Sequence, residues 1–255
     1  MISIVILGAG NVATHLFKAF IEADDVSVNQ WYNRNIKVLD TYKNSVDVTD
    51  DLSQLQDADV YILAVSDDAI EALSEQLPFK DRLVVHTSGS SSLYDIDQKH
   101  RRGVFYPLQT FSKDTDLDFT TVPLCIEALT KEDFKTLKAL AETVGCICHK
   151  VNTDQRQALH LAAVFVNNFT NQLYRVAHEI TESQSGEFNI LKPLILETAN
   201  KVQNLSPYLA QTGPALRNDK KTIKKHLKLL DNEHHKDIYK LLTTSIHRTH
   251  GRKKL

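Results

Sequence analysis

A glycine-rich turn near the start of the chain carries the most specific chemical signal. Residues 8–13 read Gly-Ala-Gly-Asn-Val-Ala, directly after the apolar run 2–7 and at the start of an apolar-periodic stretch. Glycines at these positions allow a tight turn and a close approach of the backbone to a phosphate, and the following helix adds free N–H groups. The pattern predicts a site for the pyrophosphate of a dinucleotide. The residues assigned to this contact are Gly8, Ala9, Gly10, Asn11 and Val12. The alternative is a plain strand-turn-helix that needs glycines only for its turn.

The end of the second predicted strand indicates which dinucleotide would bind. NAD needs an acidic side chain here for the ribose 2′-hydroxyl, whereas NADP needs a basic one for the 2′-phosphate. The strand runs into Asn33 and Arg34, and no acid follows it directly. Because a guanidinium gives planar, charge-assisted hydrogen bonds to phosphate, Arg34 with Asn33 predicts NADP as the cofactor. A solvated loop arginine is the alternative.

Two further strand ends should border the same cofactor. The run 60–65 leads into Ser66, and the run 83–86 leads into Thr87, Ser88 and Gly89. Ligands of open parallel sheets bind beyond the carboxyl ends of the strands. We therefore expect Val65, Ser66 and Thr87 to contact the cofactor and Ser88 to hold a polar group of the substrate. For Ser66, a helix cap is an equally good interpretation.

The second half of the chain contains an unusual helix. Between Arg156 and Arg175 lie 18 consecutive residues without Lys, Arg, Asp or Glu. A helix with a solvent face normally carries charges, so the pattern predicts that most of this helix is buried. At 100° per residue, four polar side chains fall within about 20° of one another on the side opposite the apolar stripe. They are His160, Asn167, Asn171 and His178.

These polar groups are the candidates for proton transfer and substrate binding. His160 is a competent general acid or base near neutral pH, and Asn167 with the adjacent Asn168 would orient the substrate. The alternative is a structural polar seam at a domain or dimer interface, because buried polar groups are ordinarily just hydrogen-bonded.

The elements that must position these residues divide the chain in two. Up to residue 151, short β-branched runs alternate with helical stretches, which predicts an α/β domain with a mostly parallel sheet. The predicted strands are 2–7, 26–32, 60–65, 83–86, 122–127 and 146–151, and the predicted helices are 11–23, 69–77 and 131–144. After residue 151 the pattern is helical throughout, with predicted helices 153–182, 188–204, 220–230 and 234–247. We predict domains 1–151 and 152–255.

Composition supports a globular protein with two different halves. The chain has 255 residues, of which 42% are hydrophobic and 24% charged, with a net charge of −2, so it excludes disordered and fibrous classes and gives no argument for a nucleic-acid or membrane partner. Up to residue 151 there are 14 basic and 23 acidic residues; beyond it there are 16 and 9. Three cysteines do not form a disulfide framework or a zinc site, and the first residues lack a signal-peptide pattern, so we expect a cytoplasmic protein.

Taken together, these segments resemble a known group. The chain is similar to Rossmann-like proteins with a C-terminal helical domain of unknown function, the DUF2520 family. That family is similar in plan to pyrroline-5-carboxylate reductase, 6-phosphogluconate dehydrogenase and the F420-dependent NADP oxidoreductases. The resemblance rests on residues 8–13, 86–89, 106–111, 160–169 and 212–219.

The resemblance implies a Rossmann domain, an all-α domain of the 6-phosphogluconate dehydrogenase-like type, and an NADP-dependent oxidoreductase. We expect a homodimer that transfers a hydride to or from a small molecule at the interdomain cleft, with no metal. In hydroxyacid-dehydrogenase relatives a lysine precedes a helical asparagine by four residues; aligned on Asn168, that position holds Val164, which cannot move a proton. A noncatalytic NADP-binding or sensing protein is therefore the alternative. Asn218 replaces the glycine that is usual in the family's loop between Arg217 and Asp219.

Overall fold

An eight-stranded sheet forms the first half of the chain in the computed structural model, which describes residues 1–113 and 115–251. The strand order is β3-β2-β1-β4-β5-β6-β7-β8; β6 and β7 are antiparallel, and all other neighbours are parallel. The strands are β1 (Ile2–Leu7), β2 (Val26–Tyr32), β3 (Asp47–Thr49), β4 (Val60–Leu63), β5 (Leu83–His86), β6 (Arg101–Pro107), β7 (Pro123–Ala128) and β8 (Ile147–Lys150).

Helices follow the strands of the sheet and make up the second half. They are α1 (Asn11–Ile21), α2 (Ile70–Gln76), α3 (Lys131–Thr143), α4 (Thr153–Ala163), α5 (Thr170–Ser183), α6 (Lys192–Asn204), α7 (Pro207–Ala210), α8 (Lys220–Leu229) and α9 (Glu233–His250). A π-helical segment, Val164–Phe169, joins α4 to α5. No helix in the described part of the chain is long and apolar enough to cross a membrane.

The sheet is apolar on both faces, as parallel sheets covered by helices usually are. Alternate residues of β1 belong to different buried clusters: Ile4 and Ile6 pack on the α1 side, and Val5 and Leu7 pack on the other. This burial explains why β1 and β5 have the bounds that their β-branched runs predict, because both faces of each strand are covered.

The register of the sheet brings several strand ends into one row. Leu7 is paired with Tyr32 on one side and with Leu63 on the other, and Leu63 is paired with His86. β1 lies between β2 and β4 in the sheet. Its carboxyl end is the topological switch point of this open α/β sheet, and ligands of such sheets bind at that place. The predicted Rossmann fold with a helical C-terminal part is confirmed.

Two strands were not predicted. β3 is three residues long, too short to give a period. β6 begins Arg101-Arg102-Gly103, a poor strand signal, but Arg101 forms an ion pair with Asp133 and Gly103 leaves room for Leu137.

The chain divides into two compact units, Met1–Asn167 and Asn168–Leu255. The division falls inside the π-helical segment, and the domain boundary after residue 151 stays a prediction. In the second unit the loop before α8 follows its sequence: Asn218 adopts a left-handed φ of 54°, and Asp219 caps α8 by accepting a hydrogen bond from the Thr222 amide at 3.0 Å.

The prediction that the uncharged helix is mostly buried is wrong for the single chain. Of its predicted apolar stripe only Val176 is buried, whereas Val166 is 76% exposed and Leu173 is 38% exposed. A π-helical segment interrupts the helical run between His160 and Asn171, so the regular 100° spacing on which the predicted polar line rests does not apply across it. The shared polar face stays a prediction.

Candidate functional site

The glycine turn between β1 and α1 has the geometry its sequence predicts. Gly8 has a φ of 111°, and a Cβ atom there would overlap the backbone carbonyl of Ala64, so only glycine fits. The Trp31 indole donates a hydrogen bond to the Gly8 carbonyl at 2.6 Å and fixes the turn. Ala13 is fully buried against the sheet.

The start of α1 is open to a ligand. A Cβ added to Gly10 would meet no atom within 4 Å, and Gly10 provides no side-chain cap for the helix. The first turn contains no acidic residue, so nothing offsets the positive end of the helix dipole. The Asn11 side chain donates to the Phe111 carbonyl at 2.9 Å, which ties the loop after β6 to the turn. The arrangement suits an anion, as predicted for residues 8–12.

The edge beyond β2 carries both signs of charge. Arg34 is exposed and has no ion pair within the described residues, while the Asn33 side chain donates to the Asn35 carbonyl at 2.9 Å. Asp50 and Asp51 reach the same edge from β3, because Thr49 is paired with Tyr32. Burial raises the pKa of the Tyr32 phenol, and the Asp50 carboxylate adds to the rise whereas the Arg34 guanidinium opposes it.

These acids escaped the sequence analysis because they follow a strand too short to predict. Asp51 is already used locally: it accepts hydrogen bonds from the amide and hydroxyl of Ser53 at 2.8 and 2.7 Å. Asp50 is exposed, and its carboxylate and the Arg34 guanidinium act in opposite directions on the pKa of Tyr32.

The loop after β5 is built around a buried neutral histidine. His86 Nδ1 accepts the Ser88 amide at 3.1 Å, so its proton is on Nε2, which donates to the Ser92 carbonyl at 3.1 Å. Burial lowers the pKa of His86 to about 4, and Arg156 adds to the lowering. His86 is thus a structural element of this loop and not a proton donor near neutral pH.

The Ser88 hydroxyl is engaged inside the same loop. Its oxygen accepts the amides of Ser90 and Ser91 at 3.1 and 2.9 Å, and Ser90 in turn hydrogen-bonds to Asp67. The Ser88 hydroxyl also lies 3.4 Å from the Ser90 hydroxyl, which gives its own proton to Asp67, so the proton of Ser88 has Ser90 Oγ as an acceptor within the loop. Ser66 is exposed and makes no capping hydrogen bond, Val65 is half-buried, and Thr87 is buried with its amide donating to the Leu63 carbonyl at 3.3 Å.

A buried arginine ties α4 to this loop. Arg156 is fully buried; its guanidinium bonds to the Glu127 carboxylate and to the Ser91 carbonyl, and its Nε donates to the Ser88 carbonyl at 3.2 Å. In the sequence, Arg156 stands out only as the residue before the uncharged run. Its place four residues before His160, one helical turn away, is the signal that could have identified it.

His160 lies against the glycine of this loop and a tyrosine of β6. Its Nδ1 is 3.1 Å from the Tyr106 hydroxyl, and a Cβ on Gly89 would be 2.6 Å from the same nitrogen. Burial raises the pKa of Tyr106 to about 12. His160 itself is only half-buried, so one side of the ring is accessible.

The structure thus joins some of the predicted site residues and not others. The glycine turn and the loops at Ser66 and Thr87 follow β1, β4 and β5 at one edge of the sheet, and His160 contacts the loop after β5. Asn167 and Asn168 are exposed in the π-helical segment, a feature that often marks functional sites. Tyr106 was not predicted as a site residue.

Comparisons with known proteins agree with this organisation. The family model described as NADP oxidoreductase coenzyme F420-dependent matches residues 3–89, and the model described as domain of unknown function (DUF2520) matches residues 122–246. No curated protein matches the chain.

Solved structures resemble the chain over nearly its full length. A protein from Bacteroides fragilis, described as a candidate NADP oxidoreductase, is 38% identical with a TM-score of 0.86, and the match covers 97% of this chain and 98% of that one. An imine reductase from Myxococcus stipitatus in complex with NADP+ is 16% identical with a TM-score of 0.66, covering 98% of this chain and 96% of its own.

A pyrroline-5-carboxylate reductase from Coxiella burnetii is 18% identical with a TM-score of 0.56, covering 100% and 99% of the two chains. At these low identities, the two reductases share the fold. The identity to the Bacteroides fragilis protein and the two matched models establish the family. The chain belongs to the family that joins an F420-dependent NADP oxidoreductase domain to the domain of unknown function DUF2520.

Proposed function

We propose that this protein is an NADP-dependent oxidoreductase acting on a small metabolite. The observation that carries the proposal is the turn at Gly8, which only glycine can occupy and which opens an uncapped helix at the switch point of a parallel sheet. The family models and the relatives described as NADP-linked oxidoreductases support the same conclusion.

The residues present fit this cofactor. The backbone of residues 8–12 would hold the pyrophosphate, Arg34 and Asn33 the 2′-phosphate, and Val65, Ser66 and Thr87 the part of the cofactor over the sheet. An arginine without an ion pair in the described chain can give its full charge to a phosphate, but Asp50 opposes binding there. We therefore expect a moderate preference for NADPH over NADH.

The bound cofactor would supply or accept a hydride. His160 is the proposed acid or base, because its ring is held on one side and accessible on the other. Asn167 and Asn168, exposed in the π-helical segment, would orient the substrate, and the Ser88 hydroxyl would bind one of its polar groups. The three free cysteines accord with a proposed reducing, cytoplasmic location.

Titration with NADPH and NADH, followed by fluorescence, tests the cofactor assignment. We expect Arg34→Ala to weaken NADPH binding about tenfold or more and to leave NADH unchanged, since a charge-assisted bond contributes roughly 1.5–3 kcal/mol. Asp50→Asn should increase the preference for NADPH. Arg82→Ala is the matched control, because Arg82 pairs with Asp57 near the opposite ends of the strands. Equal affinities in the wild type, or no effect of Arg34→Ala, would contradict the assignment.

A noncatalytic NADP sensor is the second candidate. It is favoured by Val164, which stands where relatives with a known mechanism have a lysine. A screen for NADPH oxidation with imines, ketones and keto acids separates the two. An enzyme should show turnover that His160→Ala abolishes while NADPH still binds, whereas a sensor should bind NADPH and show no turnover in either form.

We also propose that the protein is a homodimer formed through its second unit. In residues 168–251 only three apolar side chains are buried, Val176, Ala215 and Leu230, and none belongs to an apolar core cluster. Helices of this kind gain most of their stability from packing, so a helical unit without its own core needs an obligate partner. A second copy of the same chain is the commonest solution.

The apolar side chains that this dimer would cover are at least 38% exposed. They are Phe169, Leu173, Ile190, Leu194, Leu196, Val202, Leu205, Tyr208, Leu209, Leu216, Leu229, Leu241 and Leu242. Light scattering should give twice the chain mass of 28.8 kDa. Leu241→Lys should shift the protein toward monomer, and Thr244→Lys, an exposed polar position on the same helix, is its control. A monomeric wild type would refute the dimer.

A further inference from the structure

The hydroxyl of Tyr106 has one hydrogen-bond partner in the described chain, and that partner is His160. Tyr106 lies near the carboxyl end of β6, with 9% of its surface exposed. The two rings meet edge to face, with centroids 6.0 Å apart and an interplanar angle of 75°. The Oη–Nδ1 distance of 3.1 Å is within hydrogen-bond range.

The direction of this hydrogen bond follows from the chemistry of the pair. Burial raises the pKa of Tyr106 to about 12, so the phenol keeps its proton throughout the neutral range. A buried hydroxyl proton needs an acceptor, and His160 Nδ1 is the acceptor within reach. The phenol therefore donates, and neutral His160 carries its proton on Nε2.

The proposal rests on the oxidoreductase function but extends it to a residue and a substrate class. We propose that Tyr106 is a positioning residue that holds neutral His160 with its proton on Nε2, so that His160 donates a hydrogen bond to the oxygen of a C=O group or the nitrogen of a C=N group. A donor at that atom polarises the double bond, so that a hydride from the bound dinucleotide would add to the carbon, the electron pair of the double bond would go to the oxygen or nitrogen, and that atom would take up a proton from water through His160. The pair thus suits the reduction of a carbonyl or an imine.

Two further contacts keep the pair in place. Gly89 packs directly on it, since a Cβ at that position would be 2.6 Å from His160 Nδ1 and 2.8 Å from Tyr106 Cζ. Arg156, neutralised by Glu127, bonds to the carbonyls of Ser88 and Ser91 on either side of the glycine. Because these groups fix the loop from both ends, a side chain at residue 89 must displace the histidine.

The tautomer can be observed directly in the full chain labelled with ¹⁵N-histidine. The chain has 11 histidines, and His160→Gln identifies the His160 signals. At a pH well above about 6.5, the ordinary histidine pKa, we expect wild-type His160 to carry its proton on Nε2 and a hydrogen-bonded lone pair on Nδ1. Tyr106→Phe should move the Nδ1 signal toward that of a lone pair without a donor.

Two more variants make the result decisive. Gly89→Ala should disrupt the same hydrogen bond by displacing the ring, with Tyr106 still present. Tyr94→Phe, at a tyrosine that is 66% exposed, should leave the His160 signals unchanged. A wild-type proton on Nδ1, or an Nδ1 signal that Tyr106→Phe does not alter while the other histidine signals stay in place, would overturn the proposal. Since no cofactor is needed, this result is independent of the NADPH titration that tests the proposed function.

Discussion

The two compact units keep their apolar side chains in opposite places. In the first, both faces of the sheet belong to buried clusters, and the strands that carry the site have almost no exposed apolar residues. In the second, the helices also carry apolar side chains, but in the described part of the chain most of the large ones are exposed at the surface.

This difference explains where a single sequence determines its own structure. The first unit completes its core from its own strands and helices, so its loops can be held rigidly enough to place a glycine turn and a histidine. In the proposed dimer, the second unit covers its apolar stripes with a second copy of the chain. We therefore expect substitutions in the first unit to change its stability by the same amount at every protein concentration. The stability of the second unit should depend on protein concentration.

The largest effect should come from Arg156 in the first unit. Arg156→Ala removes the counter-charge of the Glu127 carboxylate, which keeps only its hydrogen bonds from Thr153 in the described chain, and the donor of two loop carbonyls; breaking a buried ion pair in this way costs roughly 3–5 kcal/mol. Urea unfolding measures the loss, which should not vary with protein concentration. Arg82→Ala is the matched control and should cost less than about 1 kcal/mol, because Arg82 forms its ion pair with Asp57 at the surface. A loss below about 1 kcal/mol for Arg156→Ala would contradict this assignment.

A smaller effect concerns pH and the loop after β5. His86 titrates near 6.5 when unfolded and at about 4 when folded, so the unfolded chain takes up the proton first as the pH falls. The stability is complete above about pH 6.5 and declines toward pH 4 by up to about 3 kcal/mol. Urea unfolding between these values should show a shallower decline for His86→Gln, which stays neutral. Parallel declines in both proteins would refute the contribution of His86.

The sequence predicted those parts of the fold that depend on local patterns. β1, β2 and β5 follow β-branched runs, and the start of α1 follows the glycines, so their bounds agree with the predictions. β6 was missed because its first two residues are charged, and the partner of Arg101, Asp133, lies on α3, distant in the sequence. For the long helical run, the apolar period predicted burial, but of the predicted stripe only Val176 is buried, because a period does not reveal what covers it.

The residues of the candidate site likewise divide into those that local sequence predicts and those that it does not. The glycine turn was predictable because its chemistry is local. Tyr106 was not, since 54 positions separate it from His160 and only the sheet order brings them together. The π-helical segment also left no signal in the sequence. One additional residue in a single turn changes the spacing of the apolar residues too little to be recognised.

The concentration dependence of the second unit tests the comparison directly. Tenfold dilution lowers the stabilisation that a dimer gains from association by about 1.4 kcal/mol. We expect amide hydrogen exchange in α6, α8 and α9 to accelerate on dilution, whereas β1, β4 and β5 keep their rates. Leu241→Lys should produce the fast exchange at any concentration, and Thr244→Lys should behave as the wild type. Exchange in the helices that ignores dilution would mean that they are stabilised without a second copy.

The smallest effect should appear at the cap of α8, where the second unit relies on a local interaction. Asp219 accepts hydrogen bonds from the amide and the hydroxyl of Thr222 at 3.0 and 2.7 Å, and these bonds lower the pKa of its carboxyl group. Asp219→Ala should cost about 1 kcal/mol, measured by urea unfolding at a concentration that keeps the protein dimeric. Asp219→Asn retains the capping oxygen and should cost much less. Because a cap stabilises its helix whatever covers the apolar face, this cost should be the same at every concentration above dissociation, and a cost that varied there would mean that the loop itself contributes to the interface.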